Sequence, residues 1–434
     1  MDKMADVLGR AGAWCGQNKY LSAIKNAFQN FMPLTIAGAI GVLWCNVLVN
    51  DQTGLGLFFK PIMALDFLNP AFQAVNFCTI SCITVGITLG IAQEIGVWNM
   101  GAERAGYIPG LVGLAAWLSV TNTSHMVDGA KEAFTGIAGN ELGATGLFTG
   151  MIIGVLSVEL FCFFEKQDAL KIKMPEQVPP GVARAFEVLV PATITLIITA
   201  CIGSACYNLT GLYLNDVIKN GVQGPLGAVG ATVPGVMIIY LVIMLFWLVG
   251  IHGNNMLSAV KEALFTPLAL ENVEAFNKGE TPKNIINMYF LQMCGEFGGS
   301  GVTIGLVIAI MIFGKREDNK AIASLSLVPG LFNINETVTF GIPMVLNPIL
   351  GIPFVFACLV TILVGYVLTV IGFCPVACLT VPWTCPPIVF GFLACGANVM
   401  GAVTQAILIV VSTVIYVPFL ISYEKYQNKQ AAEA

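Results

Sequence analysis

A histidine and a glutamate, His252 and Glu336, stand nearly alone in the two most apolar stretches of this chain. Between Lys219 and Lys261 there is no Asp, Glu, Lys or Arg, and His252 is the only imidazole. From Thr337 to Tyr423 there is again no Asp, Glu, Lys or Arg, and Glu336 stands at the entrance to that run. An ionisable group inside hydrocarbon costs roughly 2.5–3.5 kcal/mol on insertion scales, and it is retained where it faces a bundle interior or a cavity and serves function there. The two residues therefore mark a polar site in a membrane protein, one suited to a neutral, hydroxyl-rich solute.

The motifs around them extend that reading. WLVGIHGNNML, residues 247–257, ends an apolar helix and places Asn254 and Asn255 within a turn and a half of His252. An imidazole with two adjacent amides forms a cluster of directional donors and acceptors, as hydroxyl groups require; the plainer alternative is a helix end satisfying its own caps. NINETVTFGIPMVLNP, residues 333–348, brings Asn333, Asn335 and Glu336 before a stretch punctuated by Pro and Gly. Its carboxylate either meets a ligand hydroxyl or caps the N–H groups of a broken helix. EFGGSGVTIG, residues 296–305, lacks the Gly-Lys-Ser/Thr ending of a phosphate loop. It reads as a backbone break at which Gly299 and Ser300 line a cavity, with Glu296 as ligand or as salt-bridge partner. In VPWTCPPIVFGF, residues 381–392, Trp383 is set among prolines. A flat indole stacks on an apolar sugar face and offers an N–H, whereas tryptophan at a membrane surface commonly serves as an interfacial anchor.

The elements that must position these residues follow from composition. The chain has 434 residues, 56% hydrophobic and 10% charged, against about 25% charged in soluble domains. Its apolar runs are continuous rather than alternating, and backbone groups in lipid must be satisfied internally, so the expected fold is an all-α polytopic membrane protein. Candidate spans cover 28–50, 72–93, 105–121, 143–164, 186–208, 232–251, 286–313, 351–373 and 402–422, each near the ~20 residues of one crossing. Two further apolar pieces, 321–349 and 376–398, are broken by Pro, Gly and Asn and read as interrupted or re-entrant segments. Most of the thirteen cysteines lie in or beside apolar segments, where they behave as small hydrophobes. With two histidines in the chain and no matching spacing, neither a metal site nor a cofactor is expected. A net charge of −5, spread along the chain, gives no sign of nucleic-acid binding.

No secretory signal pattern opens the sequence, and Lys3, Arg10, Lys19 and Lys25 before the first span place the N-terminus in the cytoplasm. The polar stretch 165–184 is expected there as well, as is the C-terminal tail. The Lys315, Arg316 and Lys320 cluster also prefers the cytoplasm, but simple counting of crossings from Arg184 puts it outside.

At the motifs VPPGVARAFEVLVP, GIHGNN, EFGGSG, FNINETVTFGIPMVLNPI and PWTCPPIVFGF, in that order along nearly the whole length, the chain resembles the membrane-spanning IIC components of bacterial phosphotransferase-system sugar transporters, in the lactose/cellobiose/diacetylchitobiose family. Thr337, where many members carry Pro, and the segment GANVMGAVTQ depart from the family pattern. The resemblance implies about ten transmembrane helices with re-entrant hairpins and interfacial amphipathic helices, in the bacterial inner membrane. It implies a homodimer through an N-terminal domain, 1–215, and a mobile sugar-binding domain, 216–434. It further implies import of a β-linked, cellobiose-like disaccharide whose 6-hydroxyl is phosphorylated by a separate cytoplasmic IIB protein, with IIA upstream. His252 and Glu336 would then contact the sugar near that hydroxyl, with Asn254, Asn255, Asn335, Gly299, Ser300 and Trp383 completing the pocket. None of the cysteines lies in the soluble, exposed loop that a phosphocysteine needs, so the phosphoryl group is expected to travel on the partner. The rival expectation is an ion-coupled or facilitative sugar transporter with Glu336 as proton carrier, against which the absence of a chain of midspan acids argues.

Overall fold

The computed structural model describes residues 10, 14, 17–51, 55–125, 134–175, 177–342, 344–345 and 347–433. Among these, regular structure is helical apart from one hairpin of two-residue strands, β1 (Ser124–His125) and β2 (Phe134–Thr135), with Ser124 opposite Thr135 and His125 opposite Phe134. Five helices are each long and apolar enough to cross a membrane: Lys19–Leu48, Ala144–Glu165, Pro180–Thr210, Gly351–Val370 and Val399–Glu433. Two of the expected spans are broken. The stretch at 72–93 bends by 42° between Lys60–Ser81 and Ile83–Met100, and 286–313 bends by 59° between Met288–Val302 and Ile304–Phe313. The remaining two, 105–121 and 232–251, are the shorter apolar helices Ile108–Val120 and Val233–Leu248.

The chain divides into two compact units. The first is built from 17–38 and 74–227, and the second from 39–73 and 228–434. The first contains most of α1 (Lys19–Leu43), then α2 (Ile83–Met100), α3 (Ile108–Val120), α4 (Ala144–Glu165) and α5 (Pro180–Thr210). Within it α4 packs on α2, α3 and α5, and α3 on α2 and α5. Helices in lipid are held by close van der Waals contact, which small residues permit. A Cβ on Gly96 would lie 2.2 Å from Pro109, one on Gly113 2.3 Å from Ala92, and one on Gly150 2.2 Å from the Thr88 hydroxyl. The polar stretch at 165–184 is anchored by charge. Glu165 accepts from Arg104 Nε at 2.9 Å and Arg184 Nη1 at 2.8 Å, and Glu187 accepts from the same two arginines.

The second unit carries α6 (Val233–Leu248), α7 (Gly253–Met256), α8 (Ser258–Asn277), α9 (Met288–Gly295), α10 (Ile304–Phe313), α11 (Glu317–Leu331), α12 (Glu336–Gly341), α13 (Gly351–Val370), α14 (Val389–Ala394) and α15 (Val399–Glu433). The long α15 is its spine, with α10, α13 and α14 packed along it and α6 and α9 against α13. Here too glycine allows close approach: a Cβ on Gly305 would fall 2.3 Å from the Ser412 hydroxyl, and one on Gly365 2.4 Å from Cys294 Sγ. Asn287 caps α9, its Oδ1 accepting from the N–H groups of Tyr289 and Phe290 at 2.9 and 3.2 Å. The Asn287 and Asn272 side-chain amides both donate to the Ala377 carbonyl at 3.0 Å, fastening the irregular segment before α14.

The far ends of α10 and α15 meet. Buried Glu424 accepts from the backbone N–H groups of Lys315 and Arg316 at 2.9 and 3.3 Å, and from Asn319 Nδ2 at 3.2 Å. Arg316 Nη1 donates to Asn428 Oδ1 at 2.7 Å. The basic cluster at 315–320 and the C-terminal end of α15 therefore lie at one face, which the count of crossings did not anticipate. Removing a buried acceptor that serves several donors costs about 1–3 kcal/mol. Glu424→Ala is thus expected to lower the melting temperature of the detergent-solubilised protein, and Glu424→Gln, which keeps one acceptor, to lower it less; a thermal melt of the two variants checks this order.

Candidate functional site

The site grows from a helix that ends early. Apolar α6 stops at Leu248, and Gly250 takes a left-handed turn (φ 80°), a conformation with little cost only for glycine. The chain re-enters helix at α7 with His252 as its N-cap, the ring Nδ1 accepting from Asn255 N at 3.2 Å. In a neutral imidazole an accepting Nδ1 puts the proton on Nε2. The ring packs against Trp247, centroids 4.5 Å apart and planes inclined at 50°, and Trp247 makes an edge contact with Phe354 at 6.4 Å. His252 Nε2 is thereby turned toward Glu336 at the start of α12, 3.9 Å from its Oε1. Both side chains remain open, 37% and 47% exposed. At 3.9 Å the two do not hydrogen-bond directly, since such bonds run about 2.7–3.2 Å. A gap of one hydroxyl is left between a donor and an acceptor.

A second group lies behind this gap. Lys261 is ion-paired with Glu296, their side chains only 7% and 19% exposed. Tyr240 OH donates to the same carboxylate oxygen at 2.7 Å, and Lys261 Nζ also donates to Asn254 Oδ1 at 3.2 Å. Asn254 Nδ2 then donates to Ser300 Oγ at 2.9 Å. Of the two readings open for Glu296, the structure realises the salt bridge. Lys261 and Tyr240 were not singled out from sequence. The available signal was spacing: Lys261 falls seven residues after Asn254, two helical turns along one face.

The break between α9 and α10 is the third component. Gly298, Gly299 and Gly301 all have left-handed φ values, of 68°, 87° and 74°. Bent backbone in apolar surroundings leaves polar groups to be satisfied, and four side chains satisfy them. Asn333 Oδ1 accepts from Gly298 N at 2.6 Å, Thr303 donates to Gly298 O at 2.7 Å, Asn335 Nδ2 donates to Ser300 O at 2.8 Å, and Tyr416 OH donates to Gly301 O at 2.8 Å.

The eight expected site residues thus separate into two groups within the second unit. His252, Asn255, Glu336 and Trp383 present exposed or half-exposed side chains. Asn254, Asn335, Gly299 and Ser300 are buried or half-buried and engaged with one another or with Lys261, because the glycine break draws the nearest amides and hydroxyl into supporting it. Asn333, absent from the expected set, has φ 63° and binds the break on one side and the carbonyls of Trp383 and Cys385 on the other. Among the described residues no three His, Cys, Asp or Glu side chains gather as a metal ion would require.

Comparison with known proteins gives the geometry a context. Residues 25–358 match the family described as Phosphotransferase system, EIIC. The chain is 32% identical to the oligo-beta-mannoside-specific EIIC component of Bacillus subtilis (strain 168), over 98% of this chain and 94% of that one. It is 29% identical to the cellobiose-specific EIIC component of Lactococcus lactis subsp. lactis (strain IL1403), over 98% of both. The crystal structure of the transporter ChbC, the IIC component from the N,N'-diacetylchitobiose-specific phosphotransferase system, superposes with a TM-score of 0.88 at 29% identity, over 97% of each chain.

The break admits little change. A Cβ on Gly299 would fall 2.6 Å from Cβ and Cγ of Asn335, and one on Gly301 2.4 Å from the Phe354 ring, each in a backbone conformation that L-residues avoid. Gly299→Ala is expected to lower the melting temperature markedly. Gly279→Ala, at φ 72° but with no atom within 4 Å, carries only the conformational cost of about 1 kcal/mol; paired thermal melts separate the two.

Proposed function

This chain belongs to the phosphotransferase-system EIIC family, and from that premise we propose that His252 and Glu336 hold the hydroxyl of the sugar that receives the phosphoryl group. Members of this family are sugar permeases that work with IIB and IIA components, and the chain is such a permease, a helical membrane protein. The relatives named for oligo-beta-mannoside, cellobiose and diacetylchitobiose support a β-linked disaccharide as its cargo, with the 6-hydroxyl as acceptor.

The single observation that carries the reading is the 3.9 Å gap between His252 Nε2 and Glu336 Oε1. An oxygen placed between them, about 2.8 Å from each, would stand within hydrogen-bond reach of both. His252 Nε2–H donates to the hydroxyl oxygen, which donates its own hydrogen to Glu336. When a phosphorylated IIB protein reaches the site, the sugar oxygen attacks phosphorus and the bond from phosphorus to the partner's carrier breaks. The hydroxyl proton passes to Glu336, and His252 steadies the charge that develops on oxygen. These are contributions of positioning and electrostatics. Asn255 and Trp383, both exposed, would contact the remaining hydroxyls and a pyranose face.

The second unit supplies a topology for this reading. The contact of Lys315 and Arg316 with Glu424 and Asn428 joins the two ends at one face. Between them only α13 and α15 are long and apolar enough to cross, which supports reading the stretches 332–350 and 371–398 as re-entrant segments. With Lys315, Arg316, Lys320, Lys425 and Lys429 gathered there, that face is cytoplasmic by the positive-inside rule. In this reading the chain crosses the inner membrane about ten times with both termini cytoplasmic. The N-terminal part, 1–215, pairs two copies, while 216–434 carries the sugar and moves.

Loss of a positioned general base lowers rate by about 10²–10⁴-fold. Glu336→Gln is expected to abolish phosphoenolpyruvate-driven uptake of labelled cellobiose by membrane vesicles supplied with the cytoplasmic partners, and His252→Gln to reduce it. Normal uptake by Glu336→Gln would overturn the assignment. Accumulation of unmodified sugar without the phosphoryl donor would favour an ion-coupled or facilitative carrier instead.

A further inference from the structure

The turn that carries Trp383 cannot hold itself in place. It runs from Pro382 to Cys385, closed by the Cys385 N–H donating to Pro382 O at 2.8 Å. Pro382, Pro386 and Pro387 have no N–H to donate, so the segment has few backbone groups with which to bind its surroundings. Its anchor comes from elsewhere in the unit. Asn333 Nδ2 donates to Trp383 O at 2.5 Å and to Cys385 O at 3.1 Å, gripping two of the turn's carbonyls with one amide. The same side chain accepts from Gly298 N at 2.6 Å through Oδ1. Both N–H donors of the amide and its oxygen are therefore engaged by protein.

The backbone of Asn333 supports this use. At φ 63° it is left-handed, a conformation visited chiefly by Gly, Asn and Asp. Gly would keep the turn but bring no amide. Asp would keep an acceptor for Gly298 but lose both donors and set a charge against two carbonyls. Among residues at ease in this conformation, Asn alone supplies two donors and one acceptor. It stands three positions before Glu336, so the carboxylate and the indole, from distant parts of the chain, are referred to one fixed point.

We propose that Asn333 is a positioning residue that sets where the Trp383 ring stands relative to Glu336, and so governs how tightly the sugar is held while leaving the transfer step itself intact. This rests on the reading of Trp383 as a sugar contact. Trp383 is 45% exposed, so its ring is free to move with its turn and depends on the turn for placement.

The test uses Asn333→Gly and Asn333→Asp in the full-length protein, each alone and combined with Trp383→Ala, with cellobiose as the probe. KM and kcat are read from phosphoenolpyruvate-driven uptake in vesicles, and Kd from calorimetry on the solubilised protein. Each single Asn333 variant is expected to raise KM and Kd about tenfold, the scale of a single aromatic stacking interaction, with kcat little changed. In the Trp383→Ala background the same substitutions are expected to add less than about twofold, since residues acting as one unit are non-additive. Unchanged KM and Kd in both Asn333 variants would overturn the proposal. So would full additivity with Trp383→Ala, or a fall in kcat with KM unchanged, either of which marks a role that bypasses the indole. A Trp383→Ala protein with unaltered KM and Kd would refute the stacking reading itself, and the positioning role with it, while leaving the assignment of His252 and Glu336 to be judged by Glu336→Gln.

Discussion

The left-handed break at Gly298–Gly301 is the constraint around which the second unit is arranged. A helix interrupted in apolar surroundings exposes N–H and C=O groups that water cannot reach, and each unmet group is costly. Here the groups are met by Thr303 from the loop itself, by Asn333 and Asn335 from one distant segment and by Tyr416 from another. Satisfying one loop thereby gathers α12, α15 and the segment before α14 around the end of α9. The open side chains of Glu336 and Trp383 are held near the break as a consequence of how it is satisfied.

The buried ion pair of Lys261 and Glu296 has a related role. Pairs of this kind give little net stability, because desolvation offsets attraction, but removing one partner leaves an unmet charge and is strongly destabilising. In this protein the pair also directs Asn254: with its oxygen held by Lys261, its amide nitrogen faces Ser300. Tyr240, in α6, completes the carboxylate's shell. The helix leading to His252, the helix after it and the glycine break are thus linked through one carboxylate. That linkage, and the tilted ring contact with Trp247, fix an imidazole that would otherwise turn freely at a helix end.

Several features were legible from residue types alone. The apolar stretches each coincide with a helix or a bent helix pair, because hydrocarbon imposes both the length and the internal hydrogen bonding. The Pro- and Gly-punctuated pieces at 321–349 and 376–398 are interrupted, as Pro and Gly in such runs require. The break within 286–313 was legible too, because EFGGSG sets a carboxylate and three glycines inside an apolar run. The bend at 72–93 was less visible, since that stretch carries no such cluster and hydropathy does not distinguish a straight crossing from a bent one. The shared face of Lys315–Arg316 and Glu424–Asn428 was indicated by charge but opposed by simple counting, since the count depends on which interrupted pieces complete a crossing.

What the sequence determined by itself was the solvent and the suspects: apolar runs of membrane length, and a lone imidazole and carboxyl whose burial cost demands a purpose. Only the tertiary structure decided their relation, 3.9 Å apart with a proton donor facing an acceptor. It decided equally that Asn254, Asn335 and Ser300 support the break while Asn255 and Trp383 stay open, and that Asn333, named in its motif but not among the expected site residues, ties three segments together. The physical reason is that an amide or hydroxyl has the same capacity to bond wherever it stands. Its role is set by which unmet backbone group the fold brings within about 3 Å, and those groups come from parts of the chain that no local pattern connects.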